Sequence, residues 1–152
     1  MKTSFLSARA LASAASLAAF VAVGLVPAVL PQAAQASSSC VRFVSSNFDA
    51  PGDDNYMPQL NQEWVRIKNT CATAKSIAGW KIQDYGSIHT YKFLSGTSIG
   101  AGATITLHSG TGSNTASNKY WQRSYGAVWN NTGTERAYLG NSSGTLMSTW
   151  TE

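Results

Sequence analysis

From residue 40 onward the sequence predicts an all-β domain, a sandwich or a barrel. Two observations carry this prediction. No stretch repeats its apolar residues at helical spacing. Gly, Ser, Asn and Thr instead cut the chain into short runs of alternating character, the pattern of many short strands joined by turns.

The residues before that point predict something else. Lys2 and Arg9 give a basic start, residues 10–30 are uncharged and mostly Ala, Leu and Val, and Ala34-Gln35-Ala36 precedes Ser37. This is the layout of a cleavable secretory signal, with cleavage between Ala36 and Ser37. An uncleaved anchor is the competing reading, because the run is just long enough to span a bilayer. Gly24, Pro27 and the small-residue site favour cleavage. Arg9 stands alone, so a twin-arginine signal is missing, and Ser37-Ser38-Ser39 before Cys40 lacks the leucine of a lipoprotein box. Residues 1–36 are thus expected to be the signal and residues 37–152 one exported domain with no remaining membrane span.

Removing 36 of 152 residues leaves 116, enough for one modest core. Nine Lys and Arg then face seven Asp and Glu, a net charge of +2. That balance does not argue for nucleic acid as a partner. Cys40 and Cys71 read as a disulfide in an exported chain, against the alternative of two buried thiols. A bridge closing about 30 residues would contribute on the order of 3 kcal/mol.

The strands follow in order. Residues 40–45 place Val41, Phe43 and Ser45 on one side. The loop "SNFDAPGDDNYMPQLNQ" comes next. In "EWVRIKNT", residues 63–70, Val65 and Ile67 share a face with Glu63 and Asn69, while Trp64, Arg66 and Lys68 share the other. The first face is expected in the core. Trp64 is expected outside, beside the cationic stems. "SIAGWKIQD" groups Trp80, Ile82 and Asp84, and "HTYKFL" pairs Tyr91 with Phe93. Trp80, Tyr91 and Phe93 are the aromatic residues expected to fill the sandwich. "SIGAGATITLHSG" is a glycine-rich turn feeding Ala103, Ile105 and Leu107, and residues 109–119 read as loop. "GAVW" ends a strand. "RAYL" and "TLMSTW" form a closing hairpin around Asn141-Ser142-Ser143-Gly144.

These segments, in this order, resemble the lamin tail domain family. The resemblance rests on residues 63–70 (EWVRIKNT), 78–82 (AGWKI), 99–103 (IGAGA), 109–112 (SGTG), Tyr120-Trp121, 128–133 (VWNNTG) and the final hairpin. It spans roughly residues 42–150. It implies an immunoglobulin-like β-sandwich, without recognised catalytic residues, used for binding or tethering. It also implies an exported bacterial-type copy. Bacterial members often end in a more acidic, sometimes cysteine-containing strand. Here that strand reads Met147-Ser148-Thr149-Trp150, so Cys40–Cys71 is the only supported bridge.

No catalytic residue is assigned. His89 and His108 fall outside any nucleophile motif and are expected to be solvent-facing strand residues. A hydrolase, or a hydrolase accessory, acting through a pair of acids is the enzyme alternative. Asp49, Asp53, Asp54 and Asn55 offer hard oxygens for calcium, but their spacing is not that of an EF-hand, and turn capping explains them equally. No cofactor is expected.

Tyr120, Trp121, Tyr125 and Trp129 cluster around polar loops and form the candidate ligand-binding surface. Such a surface suits a polysaccharide of the cell envelope. The competing reading is that Trp121 and Trp129 close one end of the sandwich. Arg66, Lys68, Lys81 and Lys92 would make a basic stripe if their strands were neighbours. Asn130-Asn131-Thr132 fits the N-glycosylation pattern but reads equally as a turn. The expected protein is a monomeric, secreted interaction or tethering module, extracellular or attached to the cell envelope.

Overall fold

The computed structural model describes residues 39–53, 55–129 and 133–152. The predicted signal segment, Asp54 and the Asn130-Asn131-Thr132 triplet lie outside these residues.

Among the described residues ten strands build three sheets: β1 (Val41–Asn47), β2 (Trp64–Asn69), β3 (Lys75–Ser76), β4 (Lys81–Gln83), β5 (Thr90–Lys92), β6 (Ser98–Ile99), β7 (Thr104–His108), β8 (Asn118–Tyr120), β9 (Arg136–Gly140) and β10 (Leu146–Thr151). One four-stranded sheet has the order β1-β2-β7-β8 and the other β10-β9-β4-β5, with β3 and β6 forming a small third sheet. Among the described residues no helix is long and apolar enough to cross a membrane.

The period-two pattern explains the packing of the two large sheets. Phe43 pairs with Ile67, and Ile67 with Ile105, so their side chains lie side by side on one inner face. Ile82 pairs with Leu139 on the other. All five belong to one buried cluster with Val65, Leu107 and Ala137. Each such side chain contributes about 1.5–3 kcal/mol on burial. As the sequence predicts, Val65, Ile67, Glu63 and Asn69 face inward and Phe93 is buried. Trp80 and Tyr91 are only partly buried and pack against this core from its margin. Burial raises the Tyr91 phenol above its ordinary pKa. Of the three residues that the glycine turn feeds, Ile105 and Leu107 are buried, while Ala103 is exposed just before β7 begins at Thr104.

The reading of residues 109–119 as loop is corrected at its end. Asn118–Tyr120 forms β8 and runs parallel to β7, with Thr106 opposite Asn118 and His108 opposite Tyr120. The run "SIAGWKIQD" also divides. Lys75–Ser76 pairs with β6, while Lys81–Gln83 joins the second sheet, and Gly79 takes φ +76° at the bend between them.

Two edge strands lie along one another. The Phe43 amide donates to Ser148 Oγ at 3.2 Å, and Trp150 Nε1 donates to Ser46 Oγ at 2.7 Å. The Ser46 hydroxyl also donates to the Glu152 carboxylate. β1 and β10 therefore run in the same direction, one from each sheet. Each carries a bulge, between Phe43 and Ser45 in β1 and between Leu146 and Ser148 in β10. Bulges and mutual cover blunt these edges against pairing with other chains.

The Cys40–Cys71 disulfide ties the start of β1 to the residues just after β2, with Cα atoms 5.3 Å apart. Thr70 reinforces it, its amide and hydroxyl both donating to the Cys40 carbonyl. Reduction should lower stability by about 3 kcal/mol, since it frees a 31-residue separation in the unfolded chain. Urea titration with and without reductant measures this, and coincident midpoints would refute it.

Candidate interaction surface

The strand directions define two ends. At one, called here the loop end, lie residues 48–53, 55–63, 84–89, 109–113, 121–129 and 133–135, together with Glu152. At the other, the disulfide end, lie the Cys40–Cys71 bridge, the β9–β10 turn and residues 70–80, 93–103 and 114–117. The β1–β10 contacts fix the correspondence between the sheets, because Phe43 meets Ser148 and Ser46 meets Trp150.

Glu63 organises the loop end. Its side chain is fully buried, and its two carboxylate oxygens accept the amides of Val128 at 3.0 Å and Trp129 at 2.7 Å. A buried carboxylate is tolerable only with such donors. Trp129 is thereby held inside. It is fully buried, stacked on Phe48 with centroids 4.8 Å apart, and meets the edge of Trp121 at 5.6 Å. Trp121 in turn leans on Tyr91 at 5.8 Å. The loops are cross-linked by their backbones. Asn55 accepts the Gly126 amide through its carbonyl and the Ala127 amide through its side chain. Gln122 and Gly112 bond each other twice. Gly112 has to be glycine here, since a Cβ would fall 2.5 Å from the Tyr120 ring.

The four residues of the candidate ligand-binding surface therefore part company. Trp129 belongs to the core, which corrects its placement on a surface; the hydrophobic gain of burying an indole on Phe48 outweighs exposure beside polar loops. Trp121 is partly buried against that core. Tyr120 stacks on His108 across β7 and β8, centroids 5.0 Å apart and planes at 18°, on the outer face of the first sheet. Only Tyr125 stands free of the core, 62% exposed, with its ring edge-on to Tyr56 at 5.1 Å. Tyr125 chiefly pushes the Tyr56 phenol above its ordinary pKa.

Tyr56 carried no role in the sequence reading, and neither did Tyr85 or Ile88. Six large hydrophobic side chains stand in solvent among the described residues: Tyr56, Met57, Tyr85, Ile88, Leu94 and Tyr125. All but Leu94 are at the loop end. They come from three separate loops, so no sequence window displays them together.

Several titratable side chains of this end have structural partners. Glu135, nearly buried, accepts the amides of Arg136 at 2.9 Å and Tyr85 at 3.4 Å. Asp84 accepts the His89 amide and its ring Nδ1, both at 2.8 Å. His108 bonds the Asn61 carbonyl through Nδ1 at 2.8 Å. The expectation that both histidines are solvent-facing is thus corrected: each is partly buried and hydrogen-bonded, because each sits where a strand end meets a loop. Asp53 accepts the backbone and side-chain N–H groups of Asn55 at 3.2 Å, which is turn capping, while Asp49 is exposed. No group of three metal-ligating side chains occurs among the described residues.

The basic stripe also divides. Arg66 and Lys68 lie on the outer face of the first sheet, with Arg66 over the Trp64 ring at 4.6 Å, as the alternation predicts. Lys81 and Lys92 are direct cross-strand partners in the second sheet.

The architecture is that of an all-β sandwich. The sequence pattern of the Lamin Tail Domain matches residues 34–152, and the chain belongs to that family, one of non-enzymatic immunoglobulin-like domains. No curated protein matched the chain.

Proposed function

We propose that the protein is a secreted, non-catalytic interaction module that tethers a partner outside the cell or at its envelope. The observation that carries this reading is the gathering of Tyr56, Met57, Tyr85, Ile88 and Tyr125 at the loop end. Aromatic residues and Met are enriched at the centres of binding interfaces, where their burial supplies most of the affinity. The carboxylates of the same end support the non-catalytic part. Glu63 and Glu135 hold backbone amides, and Asp84 holds His89. The export context supports the location, since a disulfide persists in an oxidising compartment.

Retention of the protein on isolated envelope of the producing cells tests this. The assay is run at about 0.5 M salt, where the Debye length is about 4 Å and charge contacts are screened. Replacing Tyr56 and Tyr125 together with Ala should lower retention at least tenfold, while Thr149→Ala, at an exposed position of β10, should not. Equal retention by all three proteins would sink the reading.

A further inference from the structure

We infer that the disulfide end is a docking surface for an acidic polysaccharide. The inference rests on the proposed function only for the extracellular setting.

The charges of the sandwich are segregated. Every described Asp and Glu sits at the loop end: Asp49, Asp53 and Glu63 before β2, Asp84 after β4, Glu135 before β9, and Glu152 after β10. The cations lie mostly opposite. Arg42 and Lys68 face each other at the start of β1 and the end of β2. Lys81 and Lys92 face each other at the start of β4 and the end of β5. Lys75 is in the small third sheet beside them. All five are exposed. Lys119 also extends its ammonium to the Thr115 carbonyl at this end.

Two direct cross-strand pairs of like charge work against the fold. No described carboxylate stands at this end to offset them. Arg42 and Lys68 point outward from the first sheet and Lys81 and Lys92 from the second, so the positive charge rims this end on both sides, and a polyanion laid across the end would offset it.

The shape of this end favours a chain over a small anion. A shallow groove of about 450 Å³ runs past Gly79, Lys92, Phe93 and Leu94. A second, of about 530 Å³, runs from Leu94 past Thr97 and Asn114 to Lys119. They meet at the exposed Leu94 and Ser95, with Lys92 bordering one and Lys119 the other.

The same end argues against single-stranded nucleic acid. Such ligands stack their bases on exposed aromatic rings. The exposed Tyr56, Tyr85 and Tyr125 are all at the loop end. A carboxylated glycan needs cations, polar groups and a groove, and these are what the disulfide end offers.

The test uses polygalacturonate, neutral dextran of matched length, and single- and double-stranded DNA as probes, with affinities measured at several salt concentrations. Polygalacturonate should bind, and its affinity should fall as salt rises; dextran should not bind. The double variant Lys81→Glu/Lys92→Glu keeps a like-charge pair across the strands and so changes the sign of the surface without changing that local strain. It should bind at least tenfold more weakly, with an unaltered melting temperature. A second variant, Lys81→Gln/Lys92→Gln, should weaken binding less. Arg136→Glu, at the loop end, should leave affinity unchanged. The assignment is overturned if polygalacturonate fails to bind, if either DNA binds more tightly, or if Arg136→Glu weakens binding as much as the double variants do. Failure here, with the Tyr56 and Tyr125 dependence of envelope retention intact, would remove this surface and leave the proposed function standing. The reverse pattern would do the opposite.

Discussion

Replacing Trp129 with Ala should lower the stability of the domain by about 4 kcal/mol, the upper range for emptying a large aromatic site in a core. Trp129 is fully buried and carries three layers of contact: Phe48 on its face, Trp121 at its edge, and Tyr91 beyond. Removing the indole leaves a cavity that loops tied together by the Asn55 and Gln122 bonds cannot close. Trp129→Phe should cost much less, about 1–2 kcal/mol, because a smaller ring still packs on Phe48. The indole Nε1 has no hydrogen-bond partner among the described residues, so Phe forfeits no bond there. Denaturant titration of both variants checks this. If the two lose similar stability, stacking on Phe48 is not what anchors the loop end.

Glu63→Ala should cost about 3 kcal/mol, for a different reason. It leaves two buried amides, those of Val128 and Trp129, without their acceptor. Glu63→Gln is the sharper experiment. The amide keeps one acceptor oxygen but turns an NH2 group toward the second N–H, so it should recover at most half of the loss. Hydrogen exchange at Val128 and Trp129 should accelerate in both variants, ahead of exchange in β2 and β7. Unchanged exchange at those amides would show that other contacts hold the 121–129 segment.

Strong alternation made part of this fold legible in the sequence. Val65 and Ile67 face inward, Trp64 and Arg66 stack outside, and the β9–β10 hairpin turns where Asn141 predicts. There the Asn141 side chain accepts the amides of Ser143 and Thr145. The Cys40–Cys71 pairing was legible because only two cysteines are present. β8 was not, because Asn118, Lys119 and Tyr120 show no apolar alternation, and their strand geometry comes from backbone pairing with β7. Glu63 was recognised as inward-facing, but its partners lie 65 and 66 residues away in sequence. The sequence pointed to Tyr125 and to a basic stripe, but not to the exposed aromatics sharing one end or to the segregation of charge. Both arise only when the strand order brings loops from distant segments to one end, and a net charge near zero conceals how the charges are distributed.

The parallel course of β1 and β10 has a mechanical consequence. A load applied across Ser39 and Glu152 would pull along the strands, and backbone hydrogen bonds perpendicular to the strands would then resist in shear, many at once, instead of opening one by one. The disulfide changes the route of that load. Tension entering at Cys40 passes directly to Cys71 and bypasses the chain between them, so β1 and β2 are shielded. The strained path begins beyond Cys71 and runs through β3 to β10. With the bridge intact, half of the first sheet would stay folded under a force that had already stretched the rest.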